Sequence, residues 1–407
     1  MSRTRNYAIV TAAYWGFTLT DGALRTLVLL HFYQLGYSPI TLAMLFLLYE
    51  VAGIVANLGG GWLSARFGIT RMLTIGMAAQ ITGLMMLSAL GPGWSEPLSV
   101  AWVVAAQGIS GVAKDLTKTA SKSAIKVTAA AGSGSLFHWA AWFTGSKNAM
   151  KGIGFFLGGT LLELAGFRPA LWLMAGGLAL VLASVLLALP PLLGKAKASR
   201  SAREFLAKSR GVNLLATARI TLFGARDIWF VVGLPVFLYA NGWTFAAVGG
   251  FLAVWTIGYG LVQAVTPTVV QRSADGLSRE VPAARAWALV LAAVPALLGL
   301  VLALASPPRP DLVVAAGLAL FGFVFAVNSA LHSYLILAYA GSERTAEDVG
   351  FYYAANATGR LLGILLSGLL FQAGGLTACL FGAAALLAVC WATSLVLPAA
   401  QGGPVAA

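Results

Sequence analysis

The chain has 407 residues; 59% are hydrophobic and only 10% charged, against the ~25% of an ordinary soluble domain. That much apolar surface excludes a soluble globular fold and makes the bilayer the solvent. A net charge of +13 would suggest nucleic acid in a soluble protein, but here the placement of the charges matters more than their sum, and no nucleic-acid partner is expected.

Apolar stretches near or above the ~20 residues of a helical span recur along the chain. They are predicted at roughly 7–34, 39–63, 72–91, 98–118, 136–164, 168–190, 212–240, 244–270, 286–306, 311–338, 348–373 and 376–398. Strict alternation of apolar and polar residues is absent, which excludes a membrane barrel. The expectation is therefore an all-α membrane protein of twelve transmembrane helices.

In chain order, Arg3 and Arg5 precede a first apolar segment too long for a signal-peptide core, so it reads as a retained span. This span carries Asp21, Arg25 and His31, and the second carries Glu50. The fourth span runs into Lys114, Lys118, Lys122 and Lys126, spaced by four on one helix face. That stripe either draws anions to the inner mouth or anchors lipid headgroups, the latter favoured for Lys122 and Lys126. His138, Lys147 and Lys151 lie in the fifth span; Arg219, Arg226 and Asp227 in the seventh; His332 in the tenth; Arg360 in the eleventh; Cys379 and Cys390 in the twelfth. The cysteines are eleven apart on one helix and cannot pair, and neither they nor the histidines show metal spacing.

With the N-terminus inside, 18 of the 26 lysines and arginines fall in cytoplasmic segments and only Arg168 and Arg309 outside. This bias places both termini in the cytoplasm of a cell (inner) membrane. The polar stretch 194–211 reads as a cytoplasmic linker between six-helix bundles at 1–193 and 212–407.

The halves resemble each other. Gly36-Tyr37-Ser38 matches Gly242-Trp243-Thr244 at an offset of 206, which also places Asp21 on Asp227. Lys151, Gly154, Gly159 and Gly166 match Arg360, Gly363, Gly368 and Gly375 at 209. Two pseudo-symmetric six-helix repeats are the architecture of the major facilitator superfamily. Between spans 2 and 3, Gly61-Trp-Leu-Ser-Ala65-Arg66-Phe-Gly68 resembles that superfamily's Gly-x-x-x-Asp-Arg-x-Gly loop, with Ala65 in place of the aspartate.

Six cations lie within spans: Arg25, Lys147, Lys151, Arg219, Arg226 and Arg360. Left uncompensated they would cost on the order of 15–20 kcal/mol on insertion scales. Only Asp21, Glu50 and Asp227 lie well inside to balance them, so the surplus predicts an anionic cargo. Asp21 and Asp227 fall 14 and 15 residues into their spans, near or somewhat beyond the midplane. Lys151 and Arg360 lie 13 residues before the outer ends at Leu164 and Ala373. The expected anion clamp is Lys151 with Arg360, helped by Lys147, Arg25 and Arg226. Alternatively, Arg25 pairs with Asp21 one turn away, and Arg226 or Arg219 with Asp227, as structural locks. Asp21, Glu50 and Asp227 are proton-coupling candidates or static counter-charges. Asn148, Asn328 and Asn356 either bond substrate or bridge helices. No nucleophile–base triad, cofactor fingerprint or metal set is found, so no enzymatic activity, cofactor or metal is expected.

Five segments, four of them charged, are unusual for membrane helices: Thr18-Leu-Thr-Asp-Gly-Ala-Leu-Arg25, Gly36-Tyr-Ser-Pro39, Gly111-Val-Ala-Lys-Asp-Leu-Thr-Lys118, Thr144-Gly-Ser-Lys-Asn-Ala-Met-Lys151-Gly and Phe223-Gly-Ala-Arg-Asp-Ile-Trp-Phe230. They resemble the ArsJ-type organoarsenical efflux permeases of arsenic-resistance operons, from the first span through about the eighth. The resemblance implies export of 1-arseno-3-phosphoglycerate, with a glyceraldehyde-3-phosphate dehydrogenase as the functional partner that makes it; a monomer is expected. The alternative is a general organophosphate or sugar-phosphate antiporter. A drug exporter for apolar cations fits poorly with buried positive charge, and a membrane enzyme or sensor lacks the residues it would need.

Overall fold

The computed structural model describes residues 3–128, 133–190, 193, 208–270, 273, 275–340 and 345–399, and all regular structure among them is helical. The order is α1 (Arg3–Gln34), α2 (Pro39–Met44), α3 (Leu47–Phe67), α4 (Ile69–Ser88), α5 (Glu96–Thr128), α6 (Ser133–Ala165), α7 (Phe167–Ala188), α8 (Arg210–Ile228), α9 (Leu234–Ala240), α10 (Phe245–Val269), α11 (Glu280–Ala305), α12 (Pro310–Tyr339) and α13 (Thr345–Leu395). Seven helical stretches among the described residues are long and apolar enough to cross a membrane, Phe167–Ala188 and Glu280–Ala305 among them. The chain is a multi-pass membrane protein. Most of the predicted linker, with Lys195, Lys197, Arg200 and Arg203, lies outside the described residues, as do the side chains of Arg66, Lys126 and His138.

Four predicted spans are less regular than their apolar runs suggest. The second breaks at Leu45 and Phe46 into α2 and α3. The seventh passes from α8 through a π-helical turn, Trp229–Gly233, into α9, where Pro235 cannot donate a backbone hydrogen bond. The Ser367 hydroxyl takes up two donors there, accepting from the Val232 and Gly233 amides at 3.3 and 3.1 Å. Such repairs are what allow irregular backbone at membrane depth. The eleventh and twelfth run together as α13, but Gly374 and Gly375 leave helical geometry in its middle.

The predicted repeat has a backbone counterpart. Gly36 and Gly242 share a φ of 86°, a left-handed value that suits glycine. Each is followed two residues on by a hydroxyl that caps the next helix: Ser38 accepts from the Thr41 amide and Thr244 from the Ala247 amide, both at 3.2 Å. Gly166 and Gly375, paired at the other offset, also have positive φ.

The chain divides into two compact units. The first comprises Met1–Tyr37, Met44–Arg200 and Gly242–Ile257. Its most extensive helix pairing is α1 against α6. Small residues permit that closeness: a Cβ placed on Gly158 would lie 2.2 Å from the Ala23 carbonyl oxygen. The start of α10 belongs to this unit; its Ala246 amide donates to Glu163 at 2.8 Å. The core beneath is built from Tyr14, Phe17, Met72, Met77 and Leu178.

The second unit comprises Ser38–Ala43, Ser201–Asn241 and Gly258–Ala407. Its leading pairing, α8 against α13, uses the same device. A Cβ on Gly359 would lie 2.3 Å from the Ile220 carbonyl oxygen, and one on Gly363 2.8 Å from the Asp227 Cβ. Its core includes Val212, Leu215, Val281, Leu331 and Tyr352.

Candidate functional site

In the first unit the alternative reading pairs Arg25 with Asp21 one turn away, and that pair does not form. Arg25 instead reaches α3, donating from Nη2 to Glu50 Oε1 at 2.7 Å. Its guanidinium also lies 5.4 Å from the Phe46 ring centroid and 5.0 Å from that of Tyr49. Asp21 accepts the Tyr49 hydroxyl hydrogen at 2.5 Å. The reason is local: Tyr49 and Glu50 are consecutive on a neighbouring helix and serve both α1 groups at once. All four side chains are nine-tenths buried or more. Buried arginine and carboxylate are tolerable only when paired this closely.

The lysine stripe joins the same neighbourhood at its upper end. Asp115 lies 3.9 Å from Lys114 Nζ and 3.1 Å from Lys118 Nζ. Lys114 Nζ also sits 3.9 Å from the Tyr49 ring centroid. Lys122, further out, is exposed. On α6, Lys147 and Lys151 are half-buried one turn apart. The Lys151 backbone presses on α1, where a Cβ on Gly22 would meet its carbonyl oxygen at 2.7 Å. Lys151 Nζ lies 5.5 Å from the Phe155 ring centroid.

In the second unit the predicted Arg226–Asp227 pair does form, with Nη2 at 2.5 Å and Nε at 2.6 Å from Asp227 Oδ1. The crossing of α8 and α13 adds a contact invisible in the sequence: Arg360 Nε lies 3.5 Å from Asp227 Oδ2. Two half-buried guanidiniums thus share one fully buried carboxylate. Three aromatic rings surround Arg226, with centroids at 4.9 Å (Phe223), 5.7 Å (Phe325) and 5.8 Å (Phe230). Such faces attract a cation without neutralising it.

Arg219 is the residue that sequence reasoning undervalued. Its alternative partner, Asp227, is not its partner: Arg219 makes no ion pair among the described residues. It donates from Nη1 to the Ser329 carbonyl at 3.2 Å and to the Ser329 hydroxyl at 3.1 Å. It lies seven residues before Arg226, two turns along one helix face, and that spacing was the available signal. Among the described residues the membrane-level balance of this unit is three arginines to one aspartate.

The remaining candidates have plainer surroundings. Asn328 donates to the Ala284 carbonyl at 3.4 Å and so ties α12 to α11. His31 stacks on Phe167 with ring centroids 3.9 Å apart. Cys379 and Cys390 are buried free thiols. Among the described residues no group of three or more His, Cys, Asp or Glu side chains could hold a metal ion.

The chain matches the family model of the Major Facilitator Superfamily over residues 9–346. No curated protein matches it. Among solved structures it is similar to a POT family transporter in complex with a thioalcohol-conjugated peptide, at 13% identity and a TM-score of 0.76, over 97% of this chain and 95% of that one. A POT family transporter in complex with 5-aminolevulinic acid is similar to the same degree, at 13% identity and a TM-score of 0.76 over 97% and 95%. At that identity the likeness speaks for the fold alone. The family match spans most of the chain, and the chain is a transporter belonging to the major facilitator superfamily.

Proposed function

We propose that this transporter is a secondary active exporter of a small phosphorylated organoarsenical anion, 1-arseno-3-phosphoglycerate, working by alternating access of twelve spans. It is monomeric, lies in the inner membrane with both termini in the cytoplasm, and catalyses no reaction of its own. It depends on a glyceraldehyde-3-phosphate dehydrogenase for its substrate and confers arsenate resistance.

The observation that supports an anionic cargo is the unbalanced charge around Asp227. Arg219, Arg226 and Arg360 share one unit with a single membrane-level carboxylate, and the balance shifts in favour of a bound anion. Planar guanidiniums suit phosphate-like oxyanions, which they bind in a fork. The arsenical itself rests on the ArsJ-like segments, not on the charges. In the first unit Arg25 already has Glu50 and acts as a helix lock, so Lys147 and Lys151 are the cations proposed for substrate there.

The test is arsenate resistance in cells expressing this chain together with the dehydrogenase. Lys151→Ala and Arg360→Ala should each abolish resistance at normal protein levels; wild-type resistance in either removes that residue from the site. Transport of 3-phosphoglycerate with no need for arsenate would favour the general organophosphate antiporter instead.

A further inference from the structure

The geometry points to Arg219 as a second anion-binding pole, which makes the preferred substrate an ion with two separated anionic groups. This rests on the proposed anion-export reading, whose cargo already carries two anionic groups, and deepens it by assigning the residue that takes the second.

Arg219 is 4% exposed, and its Nε is buried with no hydrogen-bond partner. Both hydrogen bonds it makes go to one neutral residue, Ser329. A charge so buried, with only neutral partners, carries a desolvation cost of several kcal/mol that an arriving anion would offset. The surroundings are polar enough to receive one. Gln263 Nε2 lies 3.4 Å and the Tyr259 hydroxyl 3.5 Å from the same Ser329 Oγ, and both side chains are only partly buried. One turn further along α12, His332 is wholly buried with neither ring nitrogen hydrogen-bonded.

Spacing connects this pole to the other one. Arg219 Cζ lies 4.0 Å and Arg226 Cζ 4.9 Å from the same Phe223 ring centroid. Laid end to end, those distances keep the two guanidinium carbons within about 9 Å. Arg226 shares Asp227 with Arg360, whereas Arg219 shares no carboxylate, so the two poles differ in charge density. A short carbon chain with an oxyanion at each end would span them. A single phosphate would engage only one.

The experiment titrates the purified full chain in lipid nanodiscs with glycerol 3-phosphate, which has one anionic group, and with 3-phosphoglycerate, which has two. Wild type should bind 3-phosphoglycerate tighter by about tenfold, the equivalent of one charge-assisted hydrogen bond. Arg219→Gln should erase that preference, bringing the two affinities within about twofold of each other. Should Arg219→Gln not be recovered folded, Arg219→Lys serves, keeping the charge and losing the fork, and should at least halve the preference. Equal binding of the two probes by wild type, or an unchanged preference in the variants, overturns the second pole and leaves the exporter reading standing. No binding of either probe also overturns the second pole, while the exporter reading is decided separately by arsenate resistance.

Discussion

Arg360 reaches Asp227 across the crossing of α8 and α13 at 3.5 Å, and Arg226 holds the other oxygen of the same carboxylate. One aspartate thus restrains two cations from different helices. Removing the aspartate should therefore hurt more than removing either arginine. Asp227→Asn removes the charged partner that both guanidiniums share and should cost about 3–5 kcal/mol, the penalty of breaking a buried pair. Arg226→Gln or Arg360→Gln leaves Asp227 one partner and should cost clearly less. Thermal unfolding of the three variants in one detergent checks the order, and an Asp227→Asn protein as stable as wild type would refute the shared restraint.

Arg25 and Glu50 pair directly between α1 and α3 at 2.7 Å, so here a compensating double change can be tested. Glu50→Gln and Arg25→Gln should each destabilise, because each leaves a buried charge unmatched. The double variant should recover much of the loss, a coupling within the ~0.5–3 kcal/mol found for residues in contact. It should also transport better than either single variant, since the pair locks α1 to α3 without binding cargo. A double variant no better than the sum of the singles would mean the two side chains are not coupled and would refute the lock.

What was legible in the sequence followed from properties that repeat or accumulate. The helical class follows from apolar run length. The kinship of the halves shows in glycines at two offsets, and Gly36 and Gly242 adopt the same φ. Arg226 and Asp227 are neighbours in the chain, so their pairing was open to view. Partners chosen across helices were not. Helical spacing favoured Asp21 for Arg25, but spacing along one helix says nothing of what a second helix offers, and Glu50 won. Arg360 looked unpartnered because Asp227 is distant in sequence and near only through glycine-mediated packing. The breaks at Leu45–Phe46 and Trp229–Gly233 escaped notice because hydropathy does not register backbone geometry.

The glycines on α6 make opposite predictions to those on α7. A methyl on Gly158 would sit 2.2 Å from the Ala23 carbonyl oxygen, and backbone cannot rotate out of the way. Gly158→Ala should push α1 from α6, costing about 1–3 kcal/mol or more and lowering yield. Gly176 on α7 has nothing within 4 Å of such a methyl. Gly176→Ala should be neutral or slightly stabilising, given alanine's helix preference of up to ~1 kcal/mol. Fluorescence size-exclusion chromatography after heating separates the two; similar melting for both would mean the α1–α6 contact is not tight.

Among the three membrane-level carboxylates, Asp21 differs from the other two in its partner. Glu50 is held by Arg25 and Asp227 by two arginines, so protonating either would strand a buried cation. Asp21 makes no ion pair among the described residues; its partner is the neutral Tyr49 hydroxyl at 2.5 Å. It can gain or lose a proton while every buried arginine keeps its partner. If export is proton-coupled, Asp21 is the residue that should carry the coupling. In everted vesicles, an imposed pH gradient should drive substrate uptake by wild type. Asp21→Asn should lose that response yet keep substrate-for-substrate exchange, which needs no net proton movement. Tyr49→Phe should weaken the response without abolishing it, because the hydroxyl only orients the carboxylate. A gradient response that survives in Asp21→Asn assigns the proton elsewhere, and wild-type uptake indifferent to the gradient removes proton coupling and leaves anion exchange as the driving reaction.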